Sequence, residues 1–253
     1  MSDDELKRKI ENSLCLEYNT NLPNSFFKLF HEKTTKIFGD YFYTNNYKKF
    51  EIIIDNKIID SNYYTFERKG IHNIYIYIKG EITNFSYMFF NTSLNSLKGL
   101  EKLDTSKGQY FEYFFADCTN ISDLSPIENW DMSNCIDFNH FFYNCKSLSD
   151  IQPLRNWNVG KGINFRSIFN KCSSLVDISP LSNWNVSKGE NFYYMFADCN
   201  IDDLSPISNW DIKNGKSFSG MFARCNGEKK ISDVLANWPE KNKQFDADYC
   251  FIF

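Results

Sequence analysis

Near-copies of one segment recur along the chain every 26 or 27 residues. The clearest read FFYNCKSLSDIQPLRNWNV, IFNKCSSLVDISPLSNWNV and MFADCNIDDLSPISNWDI. The period is marked by Phe85, Phe111, Phe138, Phe165, Phe192, Phe218 and Phe245, by Cys118, Cys145, Cys172, Cys199 and Cys225, and by Trp130, Trp157, Trp184, Trp210 and Trp238. A unit this short cannot bury its apolar face alone and must stack on its neighbours. The expected fold is an α/β solenoid, a leucine-rich-repeat-like stack of units about 27 residues long.

Within a unit, NFYYMFADC places Phe192, Met195, Phe196 and Cys199 at i, i+3, i+4 and i+7. That spacing predicts a short helix of about two turns. The second half, such as Leu175 to Trp184, carries Pro180 and Asn183 and predicts a short parallel strand followed by a turn at Ser187 to Gly189. The last copy, from Phe245, starts and stops, and is expected to cap the C-terminal end.

Residues 1–80 lack the period and are expected to form a small mixed α/β N-terminal cap, with the repeats filling 81–253. Ser2 followed by Asp3, Asp4 and Glu5 predicts a capped helix start. Phe26, Phe27, Leu29 and Phe30 form an apolar cluster, and Ile37 to Tyr43 a second. Strands are expected at Phe50 to Ile54, Lys57 to Ile59, Tyr63 to Phe66 and, by strict alternation, Ile71 to Ile78.

Composition narrows the function. The net charge is −4, which argues against a broad nucleic-acid surface. The first eleven residues hold seven charges, so no signal peptide is expected, and no later stretch approaches the ~18 apolar residues of a membrane span. The expected location is cytoplasmic, with the cell surface as the alternative. Five of the eight cysteines share one repeat position, which points to packed, reduced thiols rather than disulfides or metal ligands.

The pattern F-x-x-M-F-x-x-C-x-x-L followed by N-W-[DN] stands clearly in NFSYMF at 84–89, NFYYMFADC at 191–199 and SGMFARC at 219–225. It resembles the repeats of the BspA-like leucine-rich-repeat family, also found in Mycoplasma lipoprotein-type surface proteins. The resemblance implies the repeat fold and, for many members, adhesion or host-protein binding. This chain shows no lipid-attachment motif of the surface type.

No catalytic constellation, phosphate loop, metal motif or cofactor motif is visible, and His31, His72 and His140 lie in unrelated contexts. Asp123, Asp150, Asp177, Asp203 and Asp233 share a repeat position, where local capping is expected over cation binding. Asp131, Asn158, Asn185 and Asp211 follow the tryptophans and are expected to ladder. Phe111, Phe138, Phe165, Phe192 and Phe218, with the five period cysteines and Trp130, Trp157, Trp184 and Trp210, form the expected core.

Variable positions are the candidates for partner binding. One column reads Glu112, Asn139, Arg166, Tyr193 and Ser219; another reads Asp117, Asn144, Lys171, Asp198 and Arg224. Both fall on the polar side of the expected helices. The function expected is a non-enzymatic scaffold for protein–protein contact. A surface adhesin or host-interaction protein is the first alternative, and a structural subunit of a larger assembly the second.

Overall fold

The computed structural model describes residues 1–19, 34–66, 70–92, 94 and 96–226. The apolar cluster at Phe26 to Phe30 and the last copy from Phe245, with Trp238 and Asp233, lie outside the described residues.

Two α-helices and two antiparallel sheets occupy the N-terminal third. Helix α1 (Asp3–Glu11) opens on Ser2, whose hydroxyl accepts the Glu5 N–H at 3.3 Å, and its first turn carries Asp3, Asp4 and Glu5. Strands β1 (Leu14–Asn19), β3 (Phe50–Ile54), β4 (Lys57–Ile59) and β6 (Ile71–Ile78) form a sheet of order β1-β6-β3-β4. Strands β2 (Thr34–Lys36) and β5 (Tyr63–Thr65) form a second, two-stranded sheet, and helix α2 (Asp40–Asn46) lies between β2 and β3 in sequence.

Register follows from side-chain alternation. Leu14 and Leu16 pair with Ile76 and Ile74, and Ile52 pairs with Ile76, so one face of the sheet is continuous and buried. The β3–β4 hairpin closes through Asp55 and Asn56, both at positive φ (50° and 59°), the geometry that matches strand twist in a two-residue turn. Buried Asn62, just before β5, holds the link between β2 and α2. Its Oδ1 accepts the Phe38 N–H and its Nδ2 donates to the Phe38 carbonyl, both at 2.7 Å.

From Asn84 onward the expected architecture is corrected. Among the described residues the repeats contain no α-helix, and their only β pairing is a series of single parallel bridges, Asn84–Tyr110–Asp137–Asn164–Asn191–Ser217. Among the described residues the regular sheets are antiparallel and lie before the repeats. The fold is therefore not an α/β solenoid of short helices and parallel strands, and the leucine-rich-repeat plan does not describe it.

Backbone dihedrals explain the first half of each unit. Two residues per copy, four apart, adopt positive φ: Tyr87 and Asn91, Tyr113 and Asp117, His140 and Asn144, Ser167 and Lys171, Tyr194 and Asp198, Gly220 and Arg224. A left-handed residue ends any right-handed helix. The chain instead forms successive turns: Met88 N–H bonds to Phe85 O, Phe90 to Tyr87 and Thr92 to Phe89. Tyr87 and Asn91 fill the third position of their turns, where a type II turn requires positive φ.

The alternate N–H groups leave the unit. Phe138, His140, Phe142 and Asn144 donate to the carbonyls of Asn164, Arg166, Ile168 and Asn170 in the next copy, at 2.8–2.9 Å. The same four positions do so in the copies that start at Phe85, Phe111, Phe165 and Phe192. Every second donor therefore serves its own turn and the others serve the neighbouring copy, which meets the requirement that buried N–H groups be paired.

The second half of the unit is likewise not a strand. Short 3₁₀ turns form at Ser125–Ile127, Gln152–Asn156, Ser179–Asn183 and Ser205–Ile207, each with proline in its first turn. Proline suits that site because its missing N–H has no partner there to lose. Asp123, Asp150, Asp177 and Asp203 each accept the N–H two residues on, at 2.7–3.0 Å. Asp131, Asn158, Asn185 and Asp211 do the same at 2.9–3.2 Å, a local bond where a ladder was expected.

Aromatic columns fill the interior. Phe138, Phe165, Phe192 and Phe218 stack at 5.1–5.5 Å, and Phe115, Phe142, Phe169, Phe196 and Phe222 at 5.7–5.9 Å, all within 16° of parallel. Burying each ring contributes about 1.5–3 kcal/mol. Trp130, Trp157, Trp184 and Trp210 donate their indole N–H to Leu100, Ile127, Leu154 and Leu181 at 2.8–3.1 Å, tying each copy to the one before.

The two regions share one core. The Gly39 N–H bonds to Met88 O at 2.9 Å, and Phe38 packs on Phe89 at 5.8 Å. A Cβ at Gly39 would stand 1.9 Å from the Tyr87 carbonyl oxygen, and one at Gly99, where φ is 96°, would stand 1.9 Å from that of Cys15. Both joints require glycine.

Candidate functional site

The period cysteines are built as packing groups. Cys118, Cys145, Cys172, Cys199 and Cys225 are buried, and each S–H donates to a phenylalanine carbonyl of the preceding copy at 3.0–3.2 Å. Burial pushes the Cys172 thiol up to about 12, and Cys145 and Cys199 well above the ordinary thiol range. Thiols held protonated in this way are poor nucleophiles. The expected core phenylalanines and the four described tryptophans are buried as well.

A groove of about 500 Å³ opens on the turn face of the repeats. It gathers six of the residues singled out as partner-binding candidates: Asp117, Arg166, Lys171, Tyr193, Asp198 and Arg224. Glu112, Asn139 and Asn144 are not in its lining. Two successive copies, 165–191 and 192–217, and their neighbours contribute to its walls. Side chains of one register position therefore meet across copies although they are far apart in sequence.

Charges in the groove are arranged in pairs across copies. The Arg224 guanidinium forks onto Asp198, with Nη2 at 2.6 Å from Oδ2, and this contact holds the Asp198 carboxyl below its usual range. Lys171 Nζ donates to the Tyr143 hydroxyl at 2.8 Å and lies over its ring. Asn144 donates to Asp117 at 2.7 Å. Arg166 lies 4.8 Å over the Tyr193 ring, a cation–π contact.

The column of Asp117, Asn144, Lys171, Asp198 and Arg224 is also one of the two left-handed positions. Its Asn and Asp content has a backbone cause, since these residues tolerate left-handed geometry best after glycine. The helical reading concealed that. It also concealed the second left-handed column, Tyr87, Tyr113, His140, Ser167, Tyr194 and Gly220, whose middle members line the groove. The visible signal was the run of ring-bearing residues two places after the period phenylalanine.

His140 lies in that column with its Nδ1 facing Asn139 Oδ1 and its ring stacked on Tyr113 at 4.3 Å. Burial, with the Arg166 cation adding to it, lowers its pKa to about 4. The imidazole is therefore neutral at pH 7 and presents a flat, uncharged face.

Outside the groove, Glu112 meets Asp137. Burial and the facing carboxylate raise the Glu112 pKa, and burial raises that of Asp137, so the pair holds a proton above the ordinary carboxylate range. Among the described residues no helix is long and apolar enough to cross a membrane.

No similarity to a curated protein or to a solved structure was found. The family model described as "Mycoplasma protein of unknown function, DUF285" matches residues 61–177 and 148–249. That match supports a Mycoplasma-type repeat family and does not extend to the finer BspA-like assignment. Its two segments together span well over half of the sequence, and the chain belongs to this family.

Proposed function

We propose that the protein is a non-enzymatic scaffold for protein–protein contact, with the groove on the turn face as its contact surface. The observation that carries this reading is the convergence of Arg166, Lys171, Tyr193, Asp198 and Arg224, from adjacent copies, around one open groove. The backbones of Arg166, Lys171, Tyr193 and Asp198 are fixed by hydrogen bonds between copies, so ordering that surface on binding costs little additional entropy. Arginine and tyrosine are also the side chains that dominate protein interfaces.

The test is affinity capture by the intact chain beside the double variant Arg166→Glu with Tyr193→Ala. Arg224 is left unchanged because its replacement would strand Asp198. A partner retained by the wild type and lost by the variant supports the reading. Retention by both moves the contact surface away from the groove.

The BspA-like motif resemblance favours a second reading, a surface adhesin or host-interaction protein. Surface labelling of intact cells separates it from a cytoplasmic scaffold. Labelled protein with no captured cellular partner would favour the adhesin.

A further inference from the structure

Charge in the groove is divided by depth. Arg166, Lys171 and Arg224 are exposed, whereas Asp117 and Asp198 are half-buried. In the Arg224–Asp198 pair the arginine side chain is 47% accessible and the aspartate 27%. Both carboxylates are also engaged already: Asp198 accepts the fork of Arg224, and Asp117 accepts from Asn144 at 2.7 Å. His140, its pKa lowered to about 4, is uncharged at pH 7. The groove therefore presents positive charge to solvent, on a chain whose formal charge is −4.

Two of the cations keep unused donors. Among the described residues the Arg166 side chain forms no ion pair and no hydrogen bond, and its guanidinium lies 4.8 Å over the Tyr193 ring. Such stacking fixes the guanidinium plane but covers only a face, which leaves the N–H fork along its edge for a carboxylate. Lys171 gives one N–H to the Tyr143 hydroxyl at 2.8 Å, and an ammonium group has three. Both cations rest on tyrosine rings, where less water screens an ion pair than in open solvent. Arg166 and Lys171 belong to one copy and Arg224 lies two copies on, roughly 10 Å along the stack at the spacing of hydrogen-bonded neighbours. About three residues of extended chain cover that length.

We propose that the groove takes an extended acidic segment of a partner protein, with one carboxylate forked onto Arg166 and a second on Lys171. Aspartate and glutamate side chains supply the complement that the lining lacks, since its own two carboxylates are already bonded. Nucleic acid fits less well, because its long run of phosphates would also meet the acidic remainder of the chain. This inference rests on the scaffold reading and identifies the chemistry of the partner.

The test is fluorescence anisotropy of a labelled, blocked Gly-Glu-Asp-Glu-Asp-Gly peptide with the full chain, beside its uncharged isostere Gly-Gln-Asn-Gln-Asn-Gly. Saturable binding of the acidic peptide is expected, weaker in high salt, with none of the isostere. Arg166→Gln should fold, because the side chain is exposed and gives up no hydrogen bond. It should weaken the acidic peptide at least about tenfold. Lys188→Gln removes the same charge from an exposed lysine outside the groove and should change binding less than about twofold.

Lys171→Gln should also weaken the peptide, and it decides the matter if Arg166→Gln does not fold. No saturable binding, equal binding of the isostere, or equal losses in Arg166→Gln and Lys188→Gln overturns the proposal. So does tighter binding of inorganic phosphate or of a thymidine octanucleotide than of the peptide. A cellular partner lost by Arg166→Glu with Tyr193→Ala, with no binding of the acidic peptide, would leave the scaffold reading standing and remove the acidic segment.

Discussion

The sheet region and the repeats solve the same problem, the pairing of buried backbone, in opposite ways. In the β1-β6-β3-β4 sheet, extended strands pair antiparallel over as many as six residues, and one apolar face does the packing. In the repeats, no described residue pairs for longer than a single bridge. The N–H groups of the turns alternate between their own copy and the next. Extended backbone suits most residue types, whereas the turns hold two residues per copy at positive φ. The sheet stores little backbone strain; each non-glycine left-handed residue costs roughly 1 kcal/mol, which packing must offset.

If the columns offset that strain, breaking one should produce the largest effect. Trp184→Ala removes a buried indole and its bond to Leu154 O, and is expected to cost about 3–5 kcal/mol in denaturant unfolding. A loss below about 1 kcal/mol would show that the columns do not carry the repeats.

The joint between the regions is the next target. Gly39→Ala drives a methyl group into the Tyr87 carbonyl and should cost about 3 kcal/mol or more. Probes of the sheet and of the repeats should then unfold at separate midpoints. Coincident, unshifted transitions would mean that the contact is not needed.

A pH measurement sharpens the contrast inside the repeats. Glu112 and Asp137 have raised folded pKa values, so their stabilising contribution is complete below the unfolded carboxyl range. It is lost as pH rises through the raised folded values. Asp137→Asn keeps the local acceptor, which Asn84, Asn164 and Asn191 supply in other copies. It should stabilise the protein at neutral pH by on the order of 1–2 kcal/mol and flatten that dependence. An unchanged pH profile of the melting temperature would contradict the assignment.

The difference between the regions also explains what was legible in the sequence. Strict alternation located β6, and the helix at Asp3–Glu11 followed from its cap and acidic first turn. The period marked phenylalanine, cysteine and tryptophan positions that lie buried where the structure describes them. It could not fix their backbone. Apolar residues at i, i+3, i+4 and i+7 line one face of a helix, and the same four positions point inward along a run of turns. Burial pattern alone does not separate the two.

The separating signal lay at the outward positions. Asn91, Asp117, Asn144 and Asp198, four members of one column, are the residues that left-handed backbone favours, and Gly220 stands in the other. Of the candidate site, the charged rim was visible as variation between copies. The ring stack was not, because it follows the turn geometry.

The central claim, that the repeats are built from left-handed turns and not helices, is tested most directly at Lys171, which has φ 65°. The measurement is the unfolding free energy of Lys171→Gly relative to Lys171→Ala, a comparison that cancels the loss of the lysine side chain. At a left-handed position glycine should be more stable than alanine by about 1 kcal/mol. In a helix glycine would be less stable by about 1 kcal/mol, and that sign would contradict the account.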